Sequence, residues 1–337
     1  MTLKKATKWM SVLSVSLILA ACDQEAQDEA QDDQTEEAAP ADDAGEESSD
    51  DQAGEEEGGD EEADGEEEAG DQAAGDFDYS STLNASTRED GSGTRSAFVE
   101  IVGLEDEDGN DQIDQSITVQ DGTNAVITGV QEDLYALGYV SVGAIQGNDD
   151  VKALQVEGVE PTPENIKAGD YEIARDFNLV YGEDLSEQAQ DFLDFVLSAE
   201  GQAVVEENGE VPVDDGAEEF TGGDVSGEVQ INGSTSVTPL IEKLTEEYNA
   251  VNPDVTFDIA STGSSAGVTA AIDGTADIGM SSRDITEEEE ADLGGVESIA
   301  IDGIAVIVNP ENPVDDITID QLQSIYLNET TTWEEFE

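Results

Sequence analysis

The sequence has no histidine and a single cysteine, Cys22. Without histidine the chain cannot form a Ser-His-Asp triad, use imidazole for acid–base catalysis or build a His-ligated zinc or iron site. One cysteine excludes an intramolecular disulfide bond and a metal site made of several thiolates. Catalysis that depends on histidine or on clustered thiolates is therefore excluded.

Basic residues are also scarce, because 10 Lys and Arg stand against 85 Asp and Glu, for a formal net charge of −75. Binding to nucleic acid or to an anionic membrane face needs a basic patch that releases counterions, and the composition supplies none. Residues 81–337 alone carry 58 acidic and 7 basic residues. Molar salt screens such repulsion, since the Debye length is then about 3 Å, so the composition indicates a halophilic protein.

The first 22 residues have the pattern of a lipoprotein signal peptide. Three lysines precede an apolar stretch at 10–21, and small residues lead into Cys22. The stretch is short for a membrane span, so we expect cleavage before Cys22 and attachment of lipid to it. An uncleaved anchor is the alternative. Either arrangement leaves the rest of the chain exported and tethered to the cell membrane.

Residues 23–80 contain 27 acidic residues and no Lys or Arg. Glu, Asp, Ala, Gly and Gln dominate this segment, which cannot bury enough apolar surface to offset the entropy lost on ordering. We therefore expect a disordered, acidic, self-repelling tether.

From about residue 83 onward, short β-branched runs alternate with helical periodicity. Strands are predicted at 83–86, 136–142, 229–231, 255–259, 276–280 and 304–308. Helices are predicted at 97–102, 187–197, 239–248, 266–272 and 319–326. This alternation predicts an α/β fold. The acidic, glycine-rich segment 201–227 predicts a junction between two structured halves.

Four turns rich in glycine and hydroxyl groups stand next to predicted strands or helices. They lie at 91–95, 233–236, 263–267 and 280–283. A helix N-terminus presents free backbone N–H groups and a partial positive charge, and neighbouring hydroxyls add donors. Any one turn alone is more simply a helix cap. Four together indicate a polyoxyanion enclosed by donors.

The placement of arginine supports this interpretation. Arg88, Arg95 and Arg283 lie in or beside these turns, although only seven basic residues follow Cys22. A guanidinium fork can pair two oxygens of one anion. Local positive charge of this kind is needed to admit a dianion into so acidic a chain.

Two other ligand classes fit the sequence poorly. The turn at 91–95 lacks the lysine of a P-loop and the third glycine of a dinucleotide site. Asp106, Asp108 and Asn110 stand at EF-hand-like positions, but Asp111 and Ile117 replace the required glycine and closing glutamate. We expect an acidic exposed turn there rather than a calcium site, and we expect no cofactor or metal.

Five motifs in combination resemble the signature of the phosphate-binding proteins that serve ABC phosphate importers. They are REDGSGTR at 88–95, GYVS at 138–141, GSTSV at 233–237, DIGMSSR at 277–283 and IDGIA at 301–305. Members of this family have two α/β lobes joined by two crossover strands, the type II periplasmic-binding-protein fold, with the anion held between the lobes. The resemblance implies the same fold here.

The resemblance also implies a ligand set. Carried over position by position, the phosphate-binding residues are Thr235, Ser236, Ser264, Ser282, Arg88, Ser92, Gly93 and Thr94. Some members place an acidic acceptor at the position of Ser282. Such an acceptor pairs with the proton of hydrogen phosphate and rejects fully ionised sulfate, so a serine there leaves the selectivity open.

The order of the segments differs from that of the family. Segment 81–215 resembles the family's second half, and segment 227–337 resembles its first half. This order predicts a circular permutation in which 216–227 links the old termini. The expected lobes are then 81–138 plus 311–337 and 139–310. A mis-joined or truncated tandem copy is the alternative.

The expected function is capture of inorganic phosphate by a lipid-anchored, extracytoplasmic solute-binding protein that delivers it to the permease of an ABC transporter. A binder or sensor of another tetrahedral oxyanion with the same fold is the alternative. A surface phosphatase would need a metal or an activated nucleophile, so we expect no enzymatic activity.

Overall fold

The computed structural model describes residues 77–337. Strands and helices alternate along this part of the chain, as the sequence predicts. None of the helices described is long and apolar enough to cross a membrane. Cys22, the signal segment and nearly all of the expected tether lie outside the described residues.

Most strands of the described chain are short, and the two longest have 8 and 14 residues. They are β1 (Asn84–Arg88), β2 (Thr118–Gln120), β3 (Ala136–Ser141), β4 (Lys152–Ala153), β5 (Gln155–Val156), β6 (Ala174–Tyr181), β7 (Val211–Pro212), β8 (Gly227–Gly233), β9 (Val255–Ser261), β10 (Ile278–Ser281), β11 (Gly295–Val308) and β12 (Asp316–Ile317).

The helices lie between these strands. They are α1 (Gly93–Val102), α2 (Thr123–Glu132), α3 (Pro163–Ala168), α4 (Glu187–Val196), α5 (Ala199–Asn208), α6 (Thr238–Val251), α7 (Ser264–Ile272), α8 (Glu287–Glu290) and α9 (Ile319–Tyr326), with short 3-10 helices at Gly143–Ile145 and Trp333–Phe336. The predicted junction at 201–227 is too long, because most of α5 and all of β7 lie inside it.

Capping side chains and a glycine fix ends of α1 and α9, the first and last α-helices of the described chain. Ser92 accepts a hydrogen bond from Arg95 N at 3.3 Å, so α1 begins at Gly93, earlier than predicted. α1 ends before Gly103, whose φ of 79° is the left-handed conformation that glycine adopts most easily. Thr318 and Gln321 form a reciprocal capping box at the start of α9.

Ten strands form one continuous sheet in the order β2-β1-β3-β11-β6-β10-β8-β9, and β4 and β7 also pair with β11. β1 is parallel to β2 and β3, and β8 is parallel to β9 and β10. β11 connects these two parallel parts, because it pairs antiparallel with β3 over 304–308 and with β6 over 295–303.

The two larger of four hydrophobic clusters divide the described chain into two lobes. The first core is formed by apolar side chains of 83–173 and 304–333, together with Val211. The second core is formed by apolar side chains of 177–300. β6 and β11 therefore cross from one core to the other. The predicted α/β class with two lobes is confirmed.

The boundary between the lobes differs from the expected one. The expected division between 138 and 139 falls inside β3, where Leu137 and Tyr139 are both buried in the first core. The change of core occurs instead between Ala174 and Phe177 in β6 and between Ala300 and Ile301 in β11. Pairing of β3 with β1 and β11 places it in the first lobe, and that pairing joins residues far apart in sequence.

The C-terminal segment also packs in the first lobe. Tyr326 meets Phe98 edge-on with ring centroids 5.0 Å apart, and its hydroxyl donates to Ser86 O at 3.0 Å. Trp333 is fully buried, and its indole N–H donates to Tyr135 O at 3.2 Å. Residues near both ends of the described chain thus share one core.

Candidate anion-binding site

Loops from both lobes meet at the ends of the central strands. The parallel strands β8 and β10 end side by side, so the turns that follow them lie together. The helices α1, α2 and α7 begin at the same place. The residues brought together there, which we call the cradle, are Arg88, Ser92, Gly93, Thr94 and Thr123 of the first lobe and Ser234, Thr235, Ser236, Ser264 and Ser282 of the second.

Arg88 is the charged centre of the cradle, and its side chain is only 1% exposed. Its guanidinium donates across the lobes to Thr235 Oγ1 at 2.8 Å and, within its own lobe, to Thr123 Oγ1 at 3.3 Å. Two further donors make a forked pair with the Glu89 carboxylate at 2.7 and 2.8 Å. The fork on Glu89 fixes the direction in which the remaining donors point.

Hydroxyl groups join the two lobes around this arginine. Thr94 Oγ1 and Ser236 Oγ share a hydrogen bond of 2.7 Å across the lobes. Thr123 Oγ1 lies 3.1 Å from Thr235 Oγ1 and 3.2 Å from Ser236 Oγ. Each hydroxyl can donate or accept a hydrogen bond. Each can therefore replace its bond to a neighbouring hydroxyl by a bond to an oxygen of a bound anion.

A second group of hydroxyls surrounds Ser282. Its Oγ lies 2.8 Å from Ser234 Oγ and 3.3 Å from Ser264 Oγ, while its N–H donates to Ser264 Oγ at 3.1 Å. Gly93 of the other lobe packs directly on this group. A Cβ at Gly93 would lie 2.7 Å from Ser282 Oγ and still closer to Ser264 Oγ, so only glycine permits the approach.

All eight ligands implied by the family resemblance lie in the cradle, and their binding roles stay a prediction. Ser92 differs from the others because its hydroxyl already caps α1. Sequence reasoning missed Thr123, which begins a helix that was not predicted. It also missed Ser234, although this residue stands inside the predicted turn at 233–236.

The other two arginines near the turns point to acidic partners of their own. Arg95 pairs with Asp111 at 2.6 Å, and Arg283 pairs with Glu289 at 2.7 Å. Arg88 is therefore the arginine whose guanidinium reaches the hydroxyls of both lobes. The clustering of arginine residues in the sequence therefore overstated the positive charge of the cradle, because Arg95 and Arg283 are paired with acidic side chains.

The Glu89 carboxylate stays ionised beside Arg88. Partial burial raises the pKa of Glu89, but hydrogen bonds from Arg88 and Gly122 N outweigh that effect, so its pKa lies below the ordinary value. The pair thus holds the remaining guanidinium donors of Arg88 in a fixed direction and carries little net charge. Additional attraction for an anion comes from α1, α2 and α7, whose N-termini meet in the cradle.

A buried ion pair lies behind the cradle, on the two strands that cross between the lobes. Arg175 of β6 and Asp302 of β11 are register partners, and their side chains meet at 3.1 Å with almost no exposure. Ser141 Oγ donates to the Asp302 carboxylate at 2.7 Å. Arg175 also donates to Ser282 O at 3.0 Å, so the pair contacts the cradle directly.

Glu210 is a second buried acid near Asp302. Burial, and then the negative charge of Asp302, raise the pKa of Glu210 to about 8, although Asn208 donates to both carboxyl oxygens at 2.9 Å and Lys243 acts in the same lowering direction. Glu210 is therefore mainly protonated near pH 7.

Replacing Glu210 by glutamine is expected to change how folding stability depends on pH. The folded chain holds the Glu210 proton more tightly than the unfolded chain, so wild-type stability falls as pH rises from about 4.5 to about 8. Each pKa unit corresponds to about 1.4 kcal/mol, so E210Q should gain roughly 3 to 5 kcal/mol relative to wild type across this range. Denaturant unfolding of E210Q and wild type at pH 5 and pH 9 measures this difference. A free energy of unfolding that changes by the same amount in both proteins between these pH values would contradict the assignment.

Comparison with known proteins agrees with this geometry. The PBP superfamily domain model matches residues 48–200 and 218–336. The phosphate-binding protein PstS 2 of Streptococcus agalactiae is 43% identical over 257 residues, which cover 75% of this chain and 87% of that protein. The chain belongs to the PstS family of the PBP superfamily. The resemblance found in the sequence motifs is confirmed.

Two further members show how the family relates to this chain. The crystal structure of the phosphate-binding protein of a phosphate ABC transporter from Streptococcus pneumoniae has a TM-score of 0.62 and 40% identity, covering 76% of this chain and 100% of that one. PstS of Staphylococcus saprophyticus is 38% identical over 116 residues, covering 32% of this chain and 36% of that protein. Members therefore differ in how much of their length aligns with this chain.

Proposed function

We propose that this chain is an extracytoplasmic solute-binding protein that captures inorganic phosphate in the cradle and delivers it to the permease of an ABC transporter. The observation that carries the proposal is Arg88, a buried guanidinium held by Glu89 and aimed at hydroxyls of both lobes. The names of the family members, which are phosphate-binding proteins, support phosphate as the ligand.

The expected mechanism is closure of the two lobes on the anion. Thr94 and Thr123 of the first lobe face Thr235 and Ser236 of the second, so an anion between them is bridged by donors from both. A ligand that contacts both lobes stabilises the closed arrangement over an open one. β6 and β11, which cross between the lobes, are the expected hinge.

The ligand experiment is a titration of the purified chain with phosphate and, separately, with sulfate. The Ser282 hydroxyl can accept the proton of hydrogen phosphate, but it can also donate to fully ionised sulfate. Ser282 alone therefore does not decide between the two anions. Because the relatives are named phosphate-binding proteins, we expect phosphate to bind more tightly and sulfate to compete weakly at neutral pH. Equal affinity for the two anions would favour the alternative, a binder or sensor of tetrahedral oxyanions in general.

We infer no catalytic role for the cradle. Phosphate-ester hydrolysis needs an activated nucleophile or a metal. The hydroxyls of Ser236, Ser264 and Ser282 bond to other hydroxyls or backbone groups rather than to a carboxylate or lysine that could act as a base. Release of phosphate from a chromogenic ester by the purified chain would contradict this inference.

The N-terminal sequence supports a lipid anchor at Cys22. In a lipid-modifying host, Cys22→Ser should abolish acylation and leave a precursor that keeps its signal segment, because no thiol remains to take the lipid. Intact-mass analysis of the membrane fraction reads both changes. A wild-type chain that carries no lipid in that fraction would overturn the anchor.

The acidic composition supports a protein that functions in high salt. Folding stability should rise between low and molar sodium chloride as repulsion among exposed carboxylates is screened, raising the thermal midpoint by roughly 10 °C. A midpoint that is the same at both salt concentrations would contradict halophilic adaptation.

We also propose that the segment order is a genuine circular permutation rather than a truncated tandem copy. The match to PstS 2 runs over 257 residues and covers 87% of that protein, which supports an order shared with complete relatives. The match to the Staphylococcus saprophyticus protein spans 36% of its length, as expected when one alignment can follow only one of two exchanged halves. Packing of Tyr326 on Phe98 in one core supports a complete lobe.

A further inference from the structure

The Arg175–Asp302 pair lies on the two strands that form the expected hinge and also contacts the cradle. Arg175 lies in β6 where the strand changes from one core to the other, and Asp302 lies in β11 two residues past the corresponding change. The two strands are hydrogen-bonded partners at this position. The pair therefore joins the two strands close to the place where they cross between the lobes.

Asp302 holds the guanidinium of Arg175 in one orientation. Arg175 Nε and Nη2 both donate to Asp302 Oδ2, at 3.3 and 3.1 Å, and Ser141 Oγ occupies the other carboxylate oxygen. The guanidinium also lies over the ring of Phe177, 5.3 Å from its centroid. With Nε and Nη2 engaged, Nη1 is left to point at the cradle.

Arg175 Nη1 donates to the carbonyl oxygen of Ser282 at 3.0 Å. The N–H and hydroxyl of Ser282 are held by Ser264 and Ser234, so Arg175 supplies the contact that fixes the remaining polar group of this residue. Gly93 of the other lobe packs closely against Ser282. The position of the Ser282 backbone thus decides whether the cradle closes.

We propose that Arg175 is a positioning residue for oxyanion binding, which holds the Ser282 backbone in the closed cradle and couples it to the hinge strands. This proposal rests on the proposed function, because the cradle must bind an anion for the coupling to matter. Arg175 does not touch the anion in this account. It acts through Ser282, and Asp302 acts through Arg175.

The first test variant is Arg175→Lys, which keeps the charge opposite Asp302 but loses the planar fork that also reaches Ser282 O. The phosphate dissociation constant should rise roughly tenfold, as expected for loss of one hydrogen bond from a charged donor. The change should appear in the dissociation rate, with the association rate altered by no more than about threefold, because the closed form is what loses stability.

A double variant protects the test against misfolding. Removing one buried charge alone leaves its partner unpaired, whereas Arg175→Met combined with Asp302→Asn removes both charges, and an amide at 302 can still accept from Ser141. Its phosphate dissociation constant should also rise at least about tenfold. The number of phosphate ions bound per chain should equal that of wild type. A folding defect alone would instead lower the fraction of chains that can bind phosphate.

Tyr171→Phe is the matched control. It removes a buried hydrogen bond of 2.7 Å to Ile304 O in β11, close to the hinge, but does not touch the cradle. Its thermal midpoint should fall while its phosphate affinity stays within about twofold of wild type. If either Arg175 variant folds and binds phosphate as wild type does, the positioning role is overturned. A folded wild-type chain that binds no phosphate would overturn the proposed function and this inference with it.

Discussion

Replacing Arg88 by alanine is expected to weaken phosphate binding by about 2 to 5 kcal/mol, because it leaves a buried anion without its charged donor. Arg88 also bonds Thr235 and Thr123, so the variant loses the contact that orients hydroxyls of both lobes. Titration calorimetry measures the loss, with circular dichroism to show that the chain still folds.

The matched control for Arg88→Ala is Lys167→Ala. It removes the same charge from a half-exposed ion pair with Asp215, outside the cradle. Exposed pairs contribute at most about 1 kcal/mol, so phosphate affinity should stay close to that of wild type. Equal losses in the two variants would mean that net charge, rather than the donor fork of Arg88, controls binding.

Gly93→Ala should prevent closure of the cradle. The added Cβ would lie 2.7 Å from Ser282 Oγ and 2.9 Å from the Ser282 carbonyl carbon, closer than real side chains pack. Because Gly93 begins α1 with no left-handed φ, the backbone is not strained, and the clash arises only when the lobes meet. Overpacking costs about 1 to 3 kcal/mol, so phosphate affinity should fall by about fivefold to about 150-fold.

Gly216→Ala is the control for this steric argument. Its Cβ would meet only a side-chain oxygen of Asp214 at 3.4 Å, and its φ is not left-handed. Stability and phosphate affinity should both match wild type. The steric account fails if Gly93→Ala binds phosphate as tightly as Gly216→Ala does.

The sequence predicted the cradle well because its signals are local. Glycine and hydroxyl turns at 91–95 and 233–236 cap or precede helices, and the rules that place a cap involve only a few neighbouring residues. Parallel strands then bring such turns to one edge of a sheet, as β8 and β10 do. These local signals indicated the turns, whereas eight of the ten cradle residues were implied by the family resemblance, and Thr123 and Ser234 were missed.

The hinge could not be predicted in the same way. β6 contains Arg175 and Asp176, which interrupt the apolar pattern of a buried strand, so no strand was predicted at 174–181. Arg175 is buried because it pairs with Asp302, and 127 residues separate the two. The lobe boundary was misplaced for a related reason, since β3 joins the first core through pairing with β1 and β11.

The most direct test of the account is calorimetric titration of the purified chain with inorganic phosphate, repeated across a dilution series. One folded chain contains every residue of the cradle, from Arg88 to Ser282. We therefore expect one phosphate per chain, bound by a monomer with an affinity that does not change on dilution. A folded chain that gives no binding heat, or binding that is lost as a dimer dissociates, would contradict it.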